Sequence, residues 1–194
     1  MPTPTDESGT GGSPDSSAPL RVFFAVWPDA AARDVIAARA RDVVQRVGGR
    51  APRPENHHLT LAFVGEVDAD RIDALKSIGA EAARAVAPFV LALDRLGEFQ
   101  HTGIAWLGAD NPPAELERLV RALRDGLVAE GFRVERRHYR PHVTLARRCG
   151  TMAAATIAPV AWRVERVTLI ASELLPAGSR YRELAAWALD RTTK

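Results

Sequence analysis

Apolar residues recur along this chain at two periods, which separate candidate strands from candidate helices. Residues 21–27 are almost wholly apolar and are followed by Pro28, which predicts a buried strand. Residues 57–64 are followed by Gly65 and predict a second strand. The remaining candidate strands are residues 89–96, 103–107, 142–146, 163–172 and 181–189.

Three other segments carry apolar residues at helical spacing. The first covers residues 29–47 and stops at Gly48-Gly49, the second begins at Asp68, which can cap it, and the third begins at Pro112-Pro113. Because helices and strands interleave without strict alternation, the pattern predicts an α+β fold. The predicted inner faces are Val35, Ile36, Ala40, Val43, Val44 and Val47; Ile72, Leu75, Ile78, Ala82 and Val86; and Leu116, Leu119, Val120, Leu123 and Leu127.

The first 19 residues differ in composition from the rest of the chain. Residues 1–19 are mainly Ser, Gly, Pro and Thr, which predicts a disordered tail ahead of a folded domain over residues 20–194. The tail has neither the basic nor the apolar region of a signal peptide. No apolar run approaches the roughly 20 residues of a membrane-spanning helix. We therefore expect a cytoplasmic protein without a membrane partner.

Charge and cysteine content exclude some classes of function. The formal net charge is only +2, which argues against coating nucleic acid by charge alone but allows a small cleft for one phosphate. The single cysteine, Cys149, excludes an internal disulfide and a cysteine-built zinc site. Neither Gly-rich phosphate-binding loop motif is present.

One short sequence occurs twice. Residues 58–62 read HLTLA and residues 142–146 read HVTLA, and both fall in predicted strands. Because side chains alternate between faces of a strand, each histidine shares a face with the threonine two residues on. In the first copy Leu59, Leu61 and Phe63 are predicted to share the opposite, buried face. Two such strands facing each other would form a cleft with two histidines and two threonines.

These side chains suit the opening of a cyclic phosphate. The reaction needs a base to activate the attacking oxygen and an acid to protonate the leaving alkoxide, and histidine can do either near neutral pH. His58 and His142 are therefore the candidate catalytic residues. The hydroxyls of Thr60 and Thr144 can donate to the phosphate oxygens, where charge gathers in the transition state.

Other chemistries fit less well. No carboxylate or third histidine stands at metal-ligand spacing beside the motifs, and no nucleophile elbow is present, so we expect neither a metal nor a cofactor. His57 has the opposite parity from His58 and should point to the aliphatic side of its strand or to the strand edge. His101 and His138 fall in loops without a partner motif and are expected at the surface.

The chain resembles a known family. Its segments RVFFAVWP, RPENHHLTLAFVGEV and HYRPHVTLARR look like those of the RNA 2′,3′-cyclic phosphodiesterases of the 2H phosphoesterase superfamily, historically called 2′-5′ RNA ligases. The resemblance implies two pseudo-symmetric lobes around a central cleft, each an antiparallel sheet flanked by helices. It also implies hydrolysis to a 2′-phosphate without a metal, with His58 as proton donor and His142 as acceptor.

The resemblance adds an arginine after the second motif as a phosphate contact, and Arg147 has that position. Ideal alternation puts Arg147 on the aliphatic face, whereas Arg140 and Arg148 have the parity of His142. A strand end or a bulge after Ala146 would free Arg147.

The resemblance also implies an aromatic platform for the base, for which Tyr139 and Phe63 are candidates, although core packing is the favoured role for Phe63. The expected partners are RNA ends or nucleotides with a 2′,3′-cyclic phosphate, bound by a monomer. Two alternatives stay open: 2′-5′ RNA ligation by the same groups, and a binding module that holds a nucleotide without turnover.

Overall fold

The computed structural model describes residues 18–99, 102–135, 137–175 and 178–190. Most of the predicted disordered tail, residues 1–17, and His101 lie outside the described residues. The described elements, in chain order, are β1 Leu20–Val26, α1 Ala30–Val47, β2 Leu59–Val67, α2 Ile72–Arg84, β3 Phe89–Phe99, β4 Ile104–Gly108, α3 Ala114–Ala129, β5 His142–Arg147, β6 Ala155–Val164, β7 Arg166–Leu175 and β8 Gly178–Ala188.

The strands form a sheet with the order β6-β3-β4-β5-β2-β1-β7-β8, and all neighbours are antiparallel. The sheet consists of two four-stranded halves, which meet where β5 pairs with β2. Each half has a strand–helix–strand unit beside this seam: β1-α1-β2 in one and β4-α3-β5 in the other. The α+β fold with two related halves is confirmed.

The helices begin and end for local reasons. The side chain of Asp29 accepts a hydrogen bond of 2.8 Å from the backbone N–H of Ala32 and caps α1, which ends at Gly48 with a φ of 72°. The prediction that Asp68 caps the second helix is wrong. Asp68 precedes a short 3₁₀ turn, and its side chain makes no capping hydrogen bond. The predicted inner faces of α2 and α3 are buried, and they pack in the main hydrophobic core.

The core lies between the sheet and the helices. Along β1, Val22, Phe24 and Val26 belong to this main core, whereas Phe23 and Ala25 point the other way and pack with Ile170 in a smaller cluster. Both faces of β1 are therefore covered, which explains its unbroken apolar run. No helix among the described residues is long and apolar enough to cross a membrane.

The prediction of one strand over residues 163–172 is wrong in extent. The structure has two strands there, β6 and β7, which are separated by Glu165. β6 is an edge strand whose exposed residues and Pro159 hide the usual strand pattern. Proline is tolerated there because an edge strand leaves one row of its backbone groups unpaired.

Candidate active site

The two histidine motifs meet at the seam of the sheet. β2 and β5 pair at Leu59 and Val143, both fully buried toward the helices. Antiparallel register around this pair places His58 across from Thr144 and Thr60 across from His142. Residues opposite each other in such a pair point to the same face. Each histidine thus lies opposite the threonine of the other motif, on the face away from the helices.

A bulge lies at the same position in each motif. Ala25 pairs with Thr60 while Phe24 pairs with Ala62, so Leu61 has no partner on β1. On the other side, the pairing of β4 with β5 passes over Leu145 in the same way. Because the extra residue reverses the alternation, residues beyond it change face.

The bulge at Leu61 overturns one prediction. Phe63 was expected on the buried face with Leu59, but its side chain is 42% exposed, and Arg21 lies over its ring at 4.7 Å from the centroid. The favoured role of Phe63 in core packing is therefore wrong.

The bulge at Leu145 has the matching effect on Arg147. Leu145 and Ala146 are both buried, and Arg147 is exposed on the face of His142 and Thr144. Ideal alternation failed here because the bulge precedes Ala146, whereas the expected break was after it. The backbone of Arg147 exchanges hydrogen bonds of 2.9 and 3.0 Å with that of Arg50.

Both histidines are held in the same way. Nδ1 of His58 lies 2.7 Å from the backbone oxygen of Asn56, and Nδ1 of His142 lies 2.7 Å from that of Arg140. A carbonyl oxygen only accepts, so Nδ1 carries a proton in both rings. Nε2 is then the atom that can gain or lose a proton in the cleft. In His58 it lies 3.2 Å from the hydroxyl oxygen of Thr60.

Aromatic rings surround His58. Phe23 stacks on its imidazole at 5.0 Å between centroids, Trp27 lies at 5.1 Å, and Tyr181 meets it edge-on at 5.2 Å. The indole of Trp27 donates a hydrogen bond of 2.9 Å to the hydroxyl of Thr168, which is fully buried. Sequence reasoning missed this group. Its one signal was the apolar run of β1, which exceeds what one buried face requires.

Among the described residues, the ring of Phe99 contacts His142 edge-on at 4.9 Å between centroids. The backbone carbonyl groups of Asn56 and Arg140 were also missed, because a main-chain acceptor leaves no trace in the side-chain pattern.

The electrostatics of the cleft favour neutral imidazoles. Burial lowers the pKa of His58 to about 4, against the hydrogen bond to Asn56, and the positive charge of Arg147 lowers it further. Burial also lowers the pKa of His142, with Arg147 acting in the same direction and Glu135 opposing it. Arg147 therefore lies close enough to both histidines to affect each.

His57 lies on the opposite face, as its parity predicts. It is 1% exposed, and neither ring nitrogen makes a hydrogen bond of normal geometry within the described part of the chain. Burial lowers its pKa, and the nearby backbone of Thr144 only partly offsets this. His57 is thus a buried neutral group beneath the seam.

A cavity of about 790 Å³ opens on the side of the cleft that holds His142. It reaches from Thr60 and Phe63 across to Phe99, Tyr139 and His142. The hydroxyl of Tyr139 donates a hydrogen bond of 2.9 Å to the backbone oxygen of Thr60, so this residue spans the two motifs. The cavity has the size and aromatic lining of a nucleotide pocket.

Three further residues considered from the sequence lie apart from His58 and His142. His138 is exposed, and Arg148 has a φ of 56° at the end of β5. Cys149 is partly buried, and its Sγ lies 3.3 Å from the backbone oxygen of Gly103. Across residues 18–99, 102–135, 137–175 and 178–190, no group of three or more His, Cys, Asp or Glu side chains is placed to hold a metal ion.

Comparison with known proteins agrees with this geometry. Residues 27–176 match the family model of the 2′-5′ RNA ligase superfamily. The RNA 2′,3′-cyclic phosphodiesterase of Escherichia coli K12 is 35% identical over 180 residues, which cover 90% of this chain and 99% of that protein. The protein of the same name from Methanothermobacter thermautotrophicus is 30% identical, covering 88% of this chain and 99% of its own length.

A solved structure of a relative has the same fold. The crystal structure of E. coli LigT complexed with 3′-AMP superposes with a TM-score of 0.78 at 33% identity, covering 88% of this chain and 98% of that one. The fold and the paired motifs define a phosphoesterase of the two-histidine class. The chain belongs to the 2′-5′ RNA ligase superfamily.

Proposed function

We propose that this protein is an enzyme that hydrolyses RNA 2′,3′-cyclic phosphates to 2′-phosphates with His58 and His142 as its acid–base pair. The observation that carries the proposal is the seam register, which sets each histidine across from the other motif's threonine. The relatives named RNA 2′,3′-cyclic phosphodiesterase support the same substrate. The E. coli LigT structure with 3′-AMP supports a nucleotide-sized cleft.

The reaction assigns one step to each group. Nε2 of His142 takes a proton from water, and the oxygen of that water attacks phosphorus in line with the bond to O3′. As the P–O3′ bond breaks, Nε2 of His58 gives its proton to O3′, which leaves a 3′-hydroxyl and a 2′-phosphate. The hydroxyls of Thr60 and Thr144 and the guanidinium of Arg147 stabilise the charge on the non-bridging oxygens.

The direction of proton transfer follows the family resemblance. Proton donation by His58 requires a bound anion, because a histidine whose pKa is about 4 is neutral at pH 7. The negative phosphate raises the pKa values of both histidines when it enters the cleft. The opposite assignment, with His142 as donor, has support from the unliganded cleft, since Glu135 favours a proton on His142 and the pKa of His58 is strongly lowered.

We further propose that the protein acts as a monomer in the cytoplasm on RNA ends or nucleotides that carry a 2′,3′-cyclic phosphate. Both motifs come from one chain, so a complete cleft needs no second copy. Light scattering coupled to gel filtration tests the monomer, and a dimer that dissociates only with loss of activity would contradict it.

The test of the activity is incubation with each nucleoside 2′,3′-cyclic phosphate, followed by ³¹P NMR of the product. We expect a nucleoside 2′-monophosphate as the only product. A 3′-monophosphate would mean that the other P–O bond breaks. Recovery of unchanged substrate from every nucleotide, and from an oligoribonucleotide with the same cyclic end, would contradict the proposed hydrolysis.

A further inference from the structure

A second cavity, of about 950 Å³, continues the cavity of about 790 Å³ past His142; the smaller one is called here the nucleotide pocket. Phe99, Tyr139 and His142 line both cavities, so the two form one path. In this second cavity, called here the α3 groove, one wall is α3 and another is the segment before β5. Trp106 adds a third aromatic ring and lies 5.6 Å from Phe99 between ring centroids.

Charged side chains line the α3 groove, with arginines outnumbering carboxylates. Arg95 and Asp110 form an ion pair of 3.3 Å, so their charges largely cancel. The other two carboxylates are Glu117 and Asp125. The other four arginines are Arg121, Arg124, Arg137 and Arg140.

Among the described residues, three of these four arginines form no ion pair, and the fourth, Arg137, forms a long one. Arg124 donates to the backbone oxygen of Glu135 at 2.9 Å, so no carboxylate neutralises it through that contact. Arg137 approaches the carboxylate of Glu135 at 3.7 Å, but its side chain is 90% exposed and such a pair is weak in water. Within the part of the chain that the structure describes, the guanidinium groups of Arg121 and Arg140 form no ion pair.

We propose that the α3 groove binds the RNA strand that precedes the terminal cyclic phosphate, so that the preferred substrates are oligoribonucleotides. The inference rests on the proposed function. A 2′,3′-cyclic phosphate occupies both ribose hydroxyls of the last nucleotide, so the chain continues only through its 5′ oxygen. The strand must therefore leave the nucleotide pocket, and the α3 groove is continuous with it. Aromatic rings for bases together with arginines for phosphates are what single-stranded RNA requires.

A binding measurement separates this proposal from the catalytic one. The probe is a 5′-fluorescent hexaribonucleotide that ends in a 2′-phosphate, competed by the nucleoside 2′-monophosphate with the same base. The hexamer should bind at least about tenfold more tightly than the mononucleotide, with stronger salt dependence, because more phosphates are contacted. Equal affinities would overturn the groove proposal whether or not the protein turns over cyclic phosphates.

A matched pair of variants locates the strand. Arg121→Ala should weaken hexamer binding about tenfold and leave mononucleotide binding within about twofold, since Arg121 lines only the α3 groove. Arg118→Ala is the control, because Arg118 is on the same helix, pairs with Glu115 and lies outside the groove lining. An equal effect of the two substitutions on the hexamer would contradict the proposal. An equal loss of both ligands in Arg121→Ala would do so as well.

The same comparison is then made by turnover. For the wild type, kcat/KM should be higher for the hexamer with a cyclic phosphate than for the cyclic mononucleotide, and Arg121→Ala should reduce that advantage alone. If neither substrate is opened, the proposed function fails while the binding result still decides the groove.

Discussion

The phenolic hydroxyl of Tyr139 donates a hydrogen bond of 2.9 Å to the backbone oxygen of Thr60, and so joins the segment before the second motif to the strand of the first. Beyond the pairing of Leu59 with Val143, this bond is a second tie across the seam. The distance between the histidines depends on how the two halves of the sheet are held. The bond therefore has a role beyond the stability of one loop.

Replacing Tyr139 by Phe tests that role. The variant keeps the ring that lines the cavity but leaves a carbonyl oxygen without its donor, which costs roughly 1–3 kcal/mol in a buried position. We expect a severalfold lower kcat with little change in KM, together with a lower melting temperature. Tyr139→Leu also removes the ring and should raise KM as well. A Phe variant with unchanged kcat would mean that the tie does not set the catalytic geometry.

Gly49 lies directly against the backbone of Arg147. Its φ is +89°, and a Cβ at this position would lie 2.6 Å from the backbone oxygen of Arg147. Gly49→Ala should therefore displace Arg147 and lower kcat/KM for the cyclic phosphate, as a weaker version of Arg147→Ala. Loss of one donor to a transition-state anion typically costs about 10²–10³ in rate, which is the expectation for Arg147→Ala.

Gly48→Ala is the matched control for Gly49→Ala. Gly48 also has a positive φ, of +72°, but a Cβ there would meet nothing within 4 Å. Both substitutions should lower stability, because alanine is strained at positive φ. Only Gly49→Ala should lower kcat/KM, and a similar kcat/KM in both variants would show that strain, not contact with Arg147, is responsible.

His57 makes stability depend on pH. Its pKa is lowered in the folded state, so below pH 6.5 the unfolded chain binds more protons and stability falls as pH falls. His58 and His142 act in the same direction. His57→Leu should therefore flatten part of the decline in unfolding free energy between pH 8 and pH 5, as measured by urea denaturation.

His57→Gln separates the two effects of that histidine. Glutamine does not titrate, so His57→Gln should flatten the decline in unfolding free energy as His57→Leu does. Because glutamine still buries polar atoms, the Gln variant should be less stable at pH 8 than the Leu variant. Both variants should keep nearly full activity, because the side chain lies beneath the seam. If His57→Leu abolished activity while His58→Ala did not, the strand register would be wrong.

Chelators should not affect the rate. The groups assigned to the reaction are imidazoles, hydroxyls and a guanidinium, all of which act without a metal. The measurement is turnover of a cyclic nucleotide after dialysis against EDTA, with and without added Mg²⁺, Mn²⁺ or Zn²⁺. A rate that disappears in EDTA and returns with one of these ions would overturn this mechanism.

The sequence predicted the elements that depend on a regular period. The faces of α2 and α3 and most strand positions follow from apolar spacing alone, because burial on one side imposes it. Prediction from the sequence failed where one extra residue interrupts the alternation of a strand. Leu61 and Leu145 are ordinary leucines within strands, and nothing local marks them as bulged, yet they decide which way Phe63 and Arg147 point.

Other features lay beyond sequence reasoning for a different reason. The rings of Trp27 and Tyr181 surround His58 although the two residues are far apart in the chain. Only the pairing of β1, β7 and β8 brings them together. Proximity of this kind depends on tertiary structure, whereas the paired motifs were visible because the same residues occur twice.

Substitution of either His58 or His142 should reduce turnover severely. His58→Ala and His142→Ala are each expected to reduce turnover by about 10²–10⁴, the usual contribution of a general acid or base. The substitutions should leave folding intact, because both side chains are only partly buried. A variant that folds and retains near-normal turnover would remove that histidine from the mechanism.

The pH dependence of the rate tests the acid–base pair most directly. For the wild type, kcat should rise and then fall around neutral pH, while kcat/KM should be displaced to lower pH, because the pKa values of both histidines are lowered until the phosphate binds. If His142 is the base, His142→Ala should lose the acidic limb, and His58→Ala should lose the alkaline limb. The reverse pattern would exchange the roles of the two residues. A wild-type profile that is flat while chemistry limits the rate would contradict two-histidine catalysis itself.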